Sequence, residues 1–496
     1  MPRAVLAIDQ GTTGTTALVI AHDGSVLGRA YSEFTQYYPK PGWVEHDADE
    51  IWRVSLDVAG RAVAAADIEG AELAAIGLTN QRETAVIWDR RTGKPVHRAV
   101  VWQSRQTAEI CDRLRNAGHE DWVRERTGLV LDAYFSASKI RWILDRVPNG
   151  QSLAEKGDLL FGTIDTWLLW KLTGGEAHAT EPTNASRTLL YDIHRRRWAS
   201  ELIELFDVPR VMLPKVRPSS GVFGETRPLG PIPAGIPVAG IAGDQQAALY
   251  GQGCWQPGMV KATYGTGSFV VLNMGQKVTM SEGGLVTTVC CDASGSHAYA
   301  LEGSVFTTGA AVQWLRDEMG LIENAADTEV IGSKVTDTMG VYVVPAFAGL
   351  GAPHWDMHAR GAIVGLTRGS GRDQIIRATL DSIAYQTRDV IEIMNRDSGI
   401  EITELRVDGG AAANNVLMQF QADILGIPVV RPMLVETTAA GAAFLAGLGV
   451  GFWSDSTELE NTWRRERLFE PAMDADRREE LCAGWSKSVR RVLTPG

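Results

Sequence analysis

The sequence predicts an α/β fold of two similar halves, and two features carry this prediction. Apolar strands alternate with amphipathic helices along the 496 residues, which is the pattern of sheets covered by helices. A Gly-Thr turn between two apolar strands occurs at residues 4–20 and recurs at 259–274. We interpret the recurrence as an internal duplication; a chance recurrence is the alternative, because Gly-Thr turns are common. The halves are predicted to be residues 1–250 and 251–496, with the functional site between them.

The first half is predicted to open with a strand, a polar turn and a second strand at residues 4–20. A helix follows at 51–66, and Asp47 or Asp49 is its expected N-cap, because a carboxylate there accepts amide hydrogens of the first turn. The last strand of this half leads into a helix that begins at Asp244. Its remaining strands are expected at residues 74–80, 85–96 (a strand and a turn) and 236–243.

The second half is predicted to open with a strand, a turn and a strand at residues 259–274. The clearest helix spans 373–397, where the apolar residues that share one face are Ile376, Leu380, Ile383, Val390, Ile391 and Met394. A strand, a double-glycine turn and a helix start are expected over 405–415. That helix is expected to run from about Asn414 to near Gly426.

Composition limits the possible functions. Apolar residues make up 45% of the chain, which is enough for a large core, and the net charge is −12. An acidic surface repels phosphate backbones, so we expect no nucleic-acid partner. The five cysteines and nine histidines are scattered, which argues against disulfides and a zinc site and favours a reducing cytoplasm. The apolar run at 4–8 is too short for a signal peptide and the stretch at 441–453 too short for a membrane span, so we expect no membrane insertion.

The turn from Asp9 to Thr16 has the composition of a phosphate-binding turn. It reads Asp-Gln-Gly-Thr-Thr-Gly-Thr-Thr, and its glycines allow amides and hydroxyls to face one point. A carboxylate at the end of the strand suits a magnesium ion that bridges phosphates. An ordinary hairpin turn is the alternative. The sequence contains neither a Walker A motif nor the Asp-Phe-Gly of protein kinases, which excludes those two kinase classes.

Three further turns carry polar residues at strand ends. Asp244 follows the strand at 236–243, where open α/β sheets place ligands, and is a candidate general base; a helix N-cap is the alternative. Tyr-Gly-Thr-Gly at 264–267 is the second candidate phosphate turn. In the last motif, Asp-Gly-Gly at 408–410, two glycines precede a helix and let adenine or ribose approach the backbone. Asn414 is expected one turn into that helix, where it can hydrogen-bond the nucleoside.

In this order and spacing, these turns resemble those of the FGGY carbohydrate kinases, which belong to the superfamily of actin, sugar kinases and Hsp70 ATPases. The resemblance covers nearly the whole chain. The segments that carry it are DQGTT, PKPGWVEHD, TNQRET, GTIDTWLLWKLTGG, TNASRT, AGDQQAAL, TYGTGSF, PAFAGLGAPHWD and VDGGAAANN. QRET and PKPGWVEHD are far more specific than the glycine turns. The resemblance implies two RNase H-like, actin-like ATPase domains with the active site in the cleft between them.

The resemblance also implies a substrate. It points to a small polyol, with glycerol as the first candidate, which ATP would convert to sn-glycerol 3-phosphate. The residues expected to bind the polyol are Arg82, Glu83, Trp102, Tyr134, Asp244, Gln245 and Phe269. A guanidinium donates and a carboxylate accepts, which suits vicinal hydroxyls. The alternatives are an exposed charged pair for Arg82 and Glu83, and core packing for the aromatic side chains.

The remaining roles concern ATP and its metal ion. By resemblance, Asp244 is the catalytic base, and Asp9 and Asp244 hold Mg²⁺, largely through water. The residues expected to contact ATP are Thr12, Thr13, Gly14 and Thr266 at the phosphates, and Gly309, Gln313, Gly410 and Asn414 at the nucleoside. The resemblance alone suggests a homodimer or a homotetramer.

The chain departs from the family at two places. Many glycerol-specific members carry an arginine on the phosphates where this chain has Thr16, so phosphate binding is expected to be weaker or supported by another group. Some members are inhibited by a sugar bisphosphate that binds a glycine-rich loop containing an arginine. The matching stretch at 227–233 has three prolines and a displaced arginine. We therefore expect no inhibition by fructose 1,6-bisphosphate.

Two other functions are open at the level of the sequence. A kinase for another polyol or a ketose has the same fold, although QRET with Trp102 and Tyr134 favours glycerol. A non-enzymatic actin-like filament or ATP-gated binding protein needs no hydroxyl-binding residues. Polyol-dependent release of ADP separates these possibilities.

Overall fold

The computed structural model describes residues 3–494. The strands are β1 Ala4–Gln10, β2 Gly14–Ala21, β3 Val26–Glu33, β4 Gln36–Tyr37, β5 Glu45–His46, β6 Leu73–Asn80, β7 Val86–Asp89, β8 Ala99–Val100, β9 Leu159–Gly162, β10 Ala179–Thr180, β11 Tyr191–Asp192, β12 Arg197–Trp198, β13 Lys215–Val216, β14 Ser220–Glu225, β15 Pro237–Gly243, β16 Val260–Tyr264, β17 Ser268–Gly275, β18 Val286–Cys291, β19 His297–Val305, β20 Tyr342–Val344, β21 Ala362–Val364, β22 Leu405–Asp408, β23 Val429–Pro432 and β24 Arg465–Phe469.

The α-helices alternate with these strands. They are α1 Ala48–Ala65, α2 Ala108–Asn116, α3 Glu120–Thr127, α4 Ser136–Leu144, α5 Gly150–Glu155, α6 Ile164–Leu172, α7 Pro182–Ala185, α8 Ser200–Leu205, α9 Asp244–Gly251, α10 Gly309–Asp317, α11 Asp327–Gly332, α12 Arg372–Ser398, α13 Asn415–Leu425, α14 Thr437–Gly449, α15 Ser456–Glu460 and α16 Ala475–Arg490.

Two large sheets share one topology. The first sheet has the strand order β14-β15-β6-β1-β2-β3, and the second has the order β18-β19-β17-β16-β22-β23-β24. In each, the first strand (β1 or β16) begins an antiparallel series on one side and pairs in parallel with a later strand (β6 or β22) on the other. That later strand pairs in parallel with one more (β15 or β23). This repeated order agrees with the internal duplication inferred from the two Gly-Thr turns. The predicted α/β class is confirmed.

Helices α9 and α14 join the two halves. α9 begins directly after β15 and packs against the second sheet, whereas α14 comes from the second half and covers the first sheet. Their contact is tight because small residues line it: a Cβ atom on Gly441 would lie 1.9 Å from the carbonyl oxygen of Ala247. The glycine-rich stretch at 441–453 is thus mostly a buried helix between the halves. Within residues 3–494, no helix combines the length and the apolar character needed to cross a bilayer.

The N-termini of α1 and α13 can be compared with the N-caps expected from the sequence. Asp47 caps α1, and its Oδ1 accepts from the backbone amides of Asp49 and Glu50 at 2.9 and 3.2 Å. Asn414 was expected one turn inside its helix, but it is the N-cap of α13, since its Oδ1 accepts from the amide of Leu417 at 3.0 Å. The difference arises because a short 3-10 turn, Gly410–Ala413, precedes α13.

Candidate active site

Two adjacent parallel strands bring the first polar residues together. β6 and β15 are parallel neighbours, so their carboxyl ends lie at one edge of the first sheet. Arg82 and Glu83 follow β6, and Asp244 follows β15. The Nε atom of Arg82 lies 3.1 Å from Oδ1 of Asp244. Arg82 and Glu83 are buried, so the exposed-pair alternative is wrong.

Asp244 is the first residue of α9. The N-cap of this helix is Gly243. Its carboxylate contacts Arg82 and keeps 28% of the side chain exposed, so that it remains accessible to a ligand. The next residue, Gln245, accepts a hydrogen bond through Oε1 from Nζ of Lys261 at 2.5 Å. Asp244 is therefore not the N-cap residue, although its Oδ1 also accepts from the backbone amide of Gln245 at 2.7 Å.

Three half-buried aromatic side chains border this cluster. The rings of Trp102 and Tyr134 meet edge to face, with centroids 5.5 Å apart. The guanidinium of Arg82 lies 5.8 Å from the ring centre of Phe269. Each of the three residues is partly exposed, in contrast to a core residue such as Trp88. Core packing alone therefore does not account for them.

The cluster contains three charged residues that the sequence reasoning missed: Arg187, Lys261 and Glu302. Arg187 donates through Nε to Oε1 of Glu83 at 2.5 Å and through Nη2 to Oε1 of Glu302 at 3.0 Å. Glu302 also accepts from Nη1 and Nη2 of Arg82 at 2.5 and 3.0 Å. A signal was available, because Lys261 and Glu302 are isolated charges within apolar strands, and such charges are normally paired when buried.

Burial and nearby charges shift the pKa values of this cluster. Burial opposes ionisation of Glu302, but Arg187 and Arg82 lower its pKa to about 2. Burial lowers the pKa of Lys261 to about 8, against the opposing effect of nearby carboxylates. Burial and the Asp244 carboxylate raise the pKa of Asp9 to about 7.

The two carboxylates Asp9 and Asp244 fit a magnesium ion. The Asp244 carboxylate raises the cost of ionising Asp9, and a divalent cation near both would offset that repulsion. Oxygen is the ligand that Mg²⁺ prefers. The described part of the chain has no group of three or more acidic, histidine or cysteine side chains able to hold a metal. Most of the coordination would therefore come from water and phosphate oxygens.

The first candidate phosphate turn is hydrogen-bonded to one of the three aromatic side chains, Trp102. The Thr12 hydroxyl accepts from the indole Nε1 of Trp102 at 2.8 Å. Thr13 is exposed at the tip of the turn, and Gly14 begins β2. Thr16 lies in register with Asp9, so that it points to the same face of the sheet as the candidate metal ligand. Thr16 therefore places an uncharged hydroxyl on the face of the sheet that carries the Asp9 carboxylate.

The second turn opens onto a cavity of about 420 Å³ in the second half. A Cβ atom on Gly309 would lie 2.5 Å from the carbonyl oxygen of Gly265, so glycine allows α10 to start against the turn. A Cβ atom on Gly410 would have no neighbour within 4 Å, because it faces the cavity. One ligand can therefore extend from the cavity to the turn. The sequence-predicted residues that line the cavity are Thr266, Gly309, Gln313, Gly410 and Asn414.

Comparisons with known proteins add to this geometry. Residues 4–251 match the N-terminal domain of the FGGY family of carbohydrate kinases, and residues 260–450 match its C-terminal domain. The chain is 57% identical over 493 residues to a glycerol kinase from Caldanaerobacter subterraneus subsp. tengcongensis, with 99% of each chain covered. It superposes on a Plasmodium falciparum glycerol kinase solved with ADP with a TM-score of 0.93 at 35% identity, over 99% of each chain. A xylulose kinase from Lactobacillus acidophilus superposes with a TM-score of 0.87 at 19% identity, over 98% of each chain, and shows the fold alone.

Proposed function

The chain belongs to the FGGY family of carbohydrate kinases, and from this premise we propose that it transfers the terminal phosphoryl group of ATP to glycerol. The products are sn-glycerol 3-phosphate and ADP, so the protein acts in glycerol metabolism. Glycerol is preferred over a ketose because the chain is 57% identical over 493 residues to one glycerol kinase and 35% identical to another whose structure it matches.

One observation carries the proposal in the structure: a partly exposed carboxylate, Asp244, lies 3.1 Å from the buried guanidinium of Arg82. A polyol hydroxyl bound by Arg82 and Glu83 lies within reach of that carboxylate. The hydroxyl oxygen attacks the terminal phosphorus of ATP, and its proton passes to Asp244. An aspartate is a weak base toward an alcohol, so the proton moves late, as the bond to ADP breaks.

The chain's other residues contribute binding and orientation. Glu83 accepts from one hydroxyl, while Trp102, Tyr134 and Phe269 pack against the carbon edge of the polyol and keep water out. Gln245, held by Lys261, is a further hydroxyl contact. These assignments rest on contacts within one cluster and on the family resemblance.

ATP binds from the side of the second half. The adenosine occupies the cavity of about 420 Å³, where Gly309, Gln313, Gly410 and Asn414 line the wall. Its phosphates extend along the two Gly-Thr turns, toward Thr12, Thr13, Gly14 and Thr266. When bound at Asp9 and Asp244, Mg²⁺ would neutralise phosphate charge.

A substrate panel tests this function. Purified protein is assayed for ADP release with glycerol, erythritol, xylulose and no acceptor. We expect glycerol to have the highest kcat/KM, and hydrolysis without an acceptor to be slow because closure excludes water. A clear preference for xylulose or erythritol would change the substrate, and ADP release that ignores every acceptor would contradict the kinase function.

Three further properties are part of the proposal. A cytoplasmic location is supported by the five cysteines, all of which are free and buried. A homodimer or homotetramer is supported by family resemblance, and light scattering on the purified protein tests it. The division into residues 1–250 and 251–496 is supported by the two sheets, which limited proteolysis can examine.

A further inference from the structure

A buried charge network joins the two halves at the candidate polyol site. Arg82 and Arg187 belong to the first half, whereas Glu302 lies in β19 of the second sheet. Oε1 of Glu302 accepts from Nη2 of both arginines at 3.0 Å, and Oε2 accepts from Nη1 of Arg82 at 2.5 Å. All three side chains are at most 2% exposed. A carboxylate of one half therefore holds two guanidinium groups of the other.

The same network holds one oxygen of Glu83 and leaves the other free. Arg187 donates to Oε1 of Glu83 at 2.5 Å, whereas no residue in the described range 3–494 donates to Oε2. The backbone of Glu83 has a φ of +63°, which is unfavourable for a residue with a side chain and is enriched at functional sites. The free oxygen can accept a hydrogen bond from a ligand hydroxyl.

A purely structural role explains these features less well. Buried ion pairs often stabilise a protein no more than apolar side chains of the same volume. A structural pair needs neither a spare acceptor nor an accessible end, yet Arg82 continues the network to the partly exposed Asp244. The second sheet also supplies Lys261, which is in register with Glu302 through Val271 and points to the same face.

We propose that Arg187 and Glu302 are positioning residues that set Arg82 and Glu83 for the polyol, and that Glu302 links this geometry to the approach of the two halves. The inference rests on the proposed function, since it assigns Arg82 and Glu83 to the polyol. When the halves separate, Glu302 moves away with its sheet, and both arginines lose their shared carboxylate. Polyol affinity then depends on closure, although Glu302 itself does not touch the substrate.

Glu302→Gln tests the proposal, because it removes the charge and keeps the shape. We expect the KM for glycerol to rise at least about tenfold, as for the loss of charge-assisted hydrogen bonds. The KM for ATP is expected to change less than about threefold, since the nucleotide cavity has no part in the network. Steady-state ADP release measures both constants. Glu302→Asp keeps the charge but places it farther from the two arginines, so we expect an intermediate KM for glycerol. This variant replaces Glu302→Gln in the test if Glu302→Gln does not fold.

The matched control is Asp397→Asn, at the end of α12. Asp397 pairs with Arg396 at 2.9 Å, and 4% of its side chain is exposed, so the change also removes a shielded carboxylate. Both KM values should remain at the wild-type level in this variant.

Calorimetry tests the link to closure. In the wild type, ADP is expected to tighten glycerol binding, and in Glu302→Gln this coupling should be lost. Retained coupling, an unchanged KM for glycerol in a folded Glu302→Gln, or an equal rise in both KM values would each overturn the inference. A wild type that releases no ADP with any polyol would instead reject the proposed function.

Discussion

Replacing Asp244 with asparagine tests the reaction centre most directly. The amide keeps the size of the side chain and can still accept from Nε of Arg82, which lies 3.1 Å from Oδ1. It cannot take the hydroxyl proton, and general-base catalysis contributes roughly 10²–10⁴ in rate, or about 3–5 kcal/mol of barrier. We therefore expect kcat for glycerol phosphorylation to fall by about that factor.

The structure predicts only a small effect of Asp244→Asn on stability. With 28% of its side chain exposed, the carboxylate is partly screened, so losing its ion pair costs about 1 kcal/mol or less. The corresponding fall in Tm is about 2 °C or less for a half of this size. ADP affinity should change little, because the nucleotide cavity lies in the second half. Coupled ADP detection, calorimetry and thermal unfolding measure the three effects.

A matched variant separates catalysis from charge loss. Glu436 pairs with Arg29 at 2.9 Å and is 29% exposed, so Glu436→Gln removes a comparable carboxylate without touching the cluster. Its kcat should stay within about twofold of the wild type, since exposed pairs contribute little. If Asp244→Asn retained more than about a tenth of the wild-type kcat, well above the range for a lost base, Asp244 would not be the base.

The remaining predictions concern the nucleotide, the loop and the core. Gly309→Ala and Gly410→Ala should both raise the KM for ATP, the first because its Cβ would meet the carbonyl oxygen of Gly265 at 2.5 Å, the second because its Cβ would project into the nucleotide cavity. Only Gly309→Ala should also lower Tm, and an unchanged KM for ATP in either variant would contradict the assignment. Thr16→Arg should lower the KM for ATP roughly fivefold, as for a phosphate contact of about 1 kcal/mol, and an unchanged KM would show that the cation is already replaced. Fructose 1,6-bisphosphate should leave activity unchanged, and dose-dependent inhibition would refute our interpretation of the loop at 227–233. Burial raises the pKa of Asp389 to about 7 from its ordinary 3.8. Its contribution to the free energy of unfolding is therefore fully present below pH 3.8 and is lost as the pH rises to about 7. Relative to Asp389→Asn, the free energy of unfolding should therefore fall by about 1.4 kcal/mol per pH unit in that interval, and a pH-independent difference in urea unfolding would contradict this.

Local sequence patterns were sufficient to predict much of the fold. The alternation of apolar strands and helices predicted the α/β class, and the two Gly-Thr turns predicted the repeated topology that both sheets display. Asp9 and Asp244 could be assigned to strand ends because an apolar run and the polar residue that ends it are neighbours in sequence. The roles of these residues came from family resemblance, and they stay predictions.

Local sequence patterns could not predict which charged residues pair with each other at the site. Arg187 and Glu302 lie 115 positions apart, and they meet because α7 of one half packs against β18, the sheet neighbour of β19, in the other. An isolated charge in an apolar strand indicates that a partner exists without indicating which one. Similarly, the stretch at 441–453 is recognisably apolar, yet its place on the first sheet follows from its close contacts with Gly77 of β6 and Gly240 of β15. Short-range patterns thus define strands, turns and caps, whereas the pairing of buried charges depends on how the two sheets pack together.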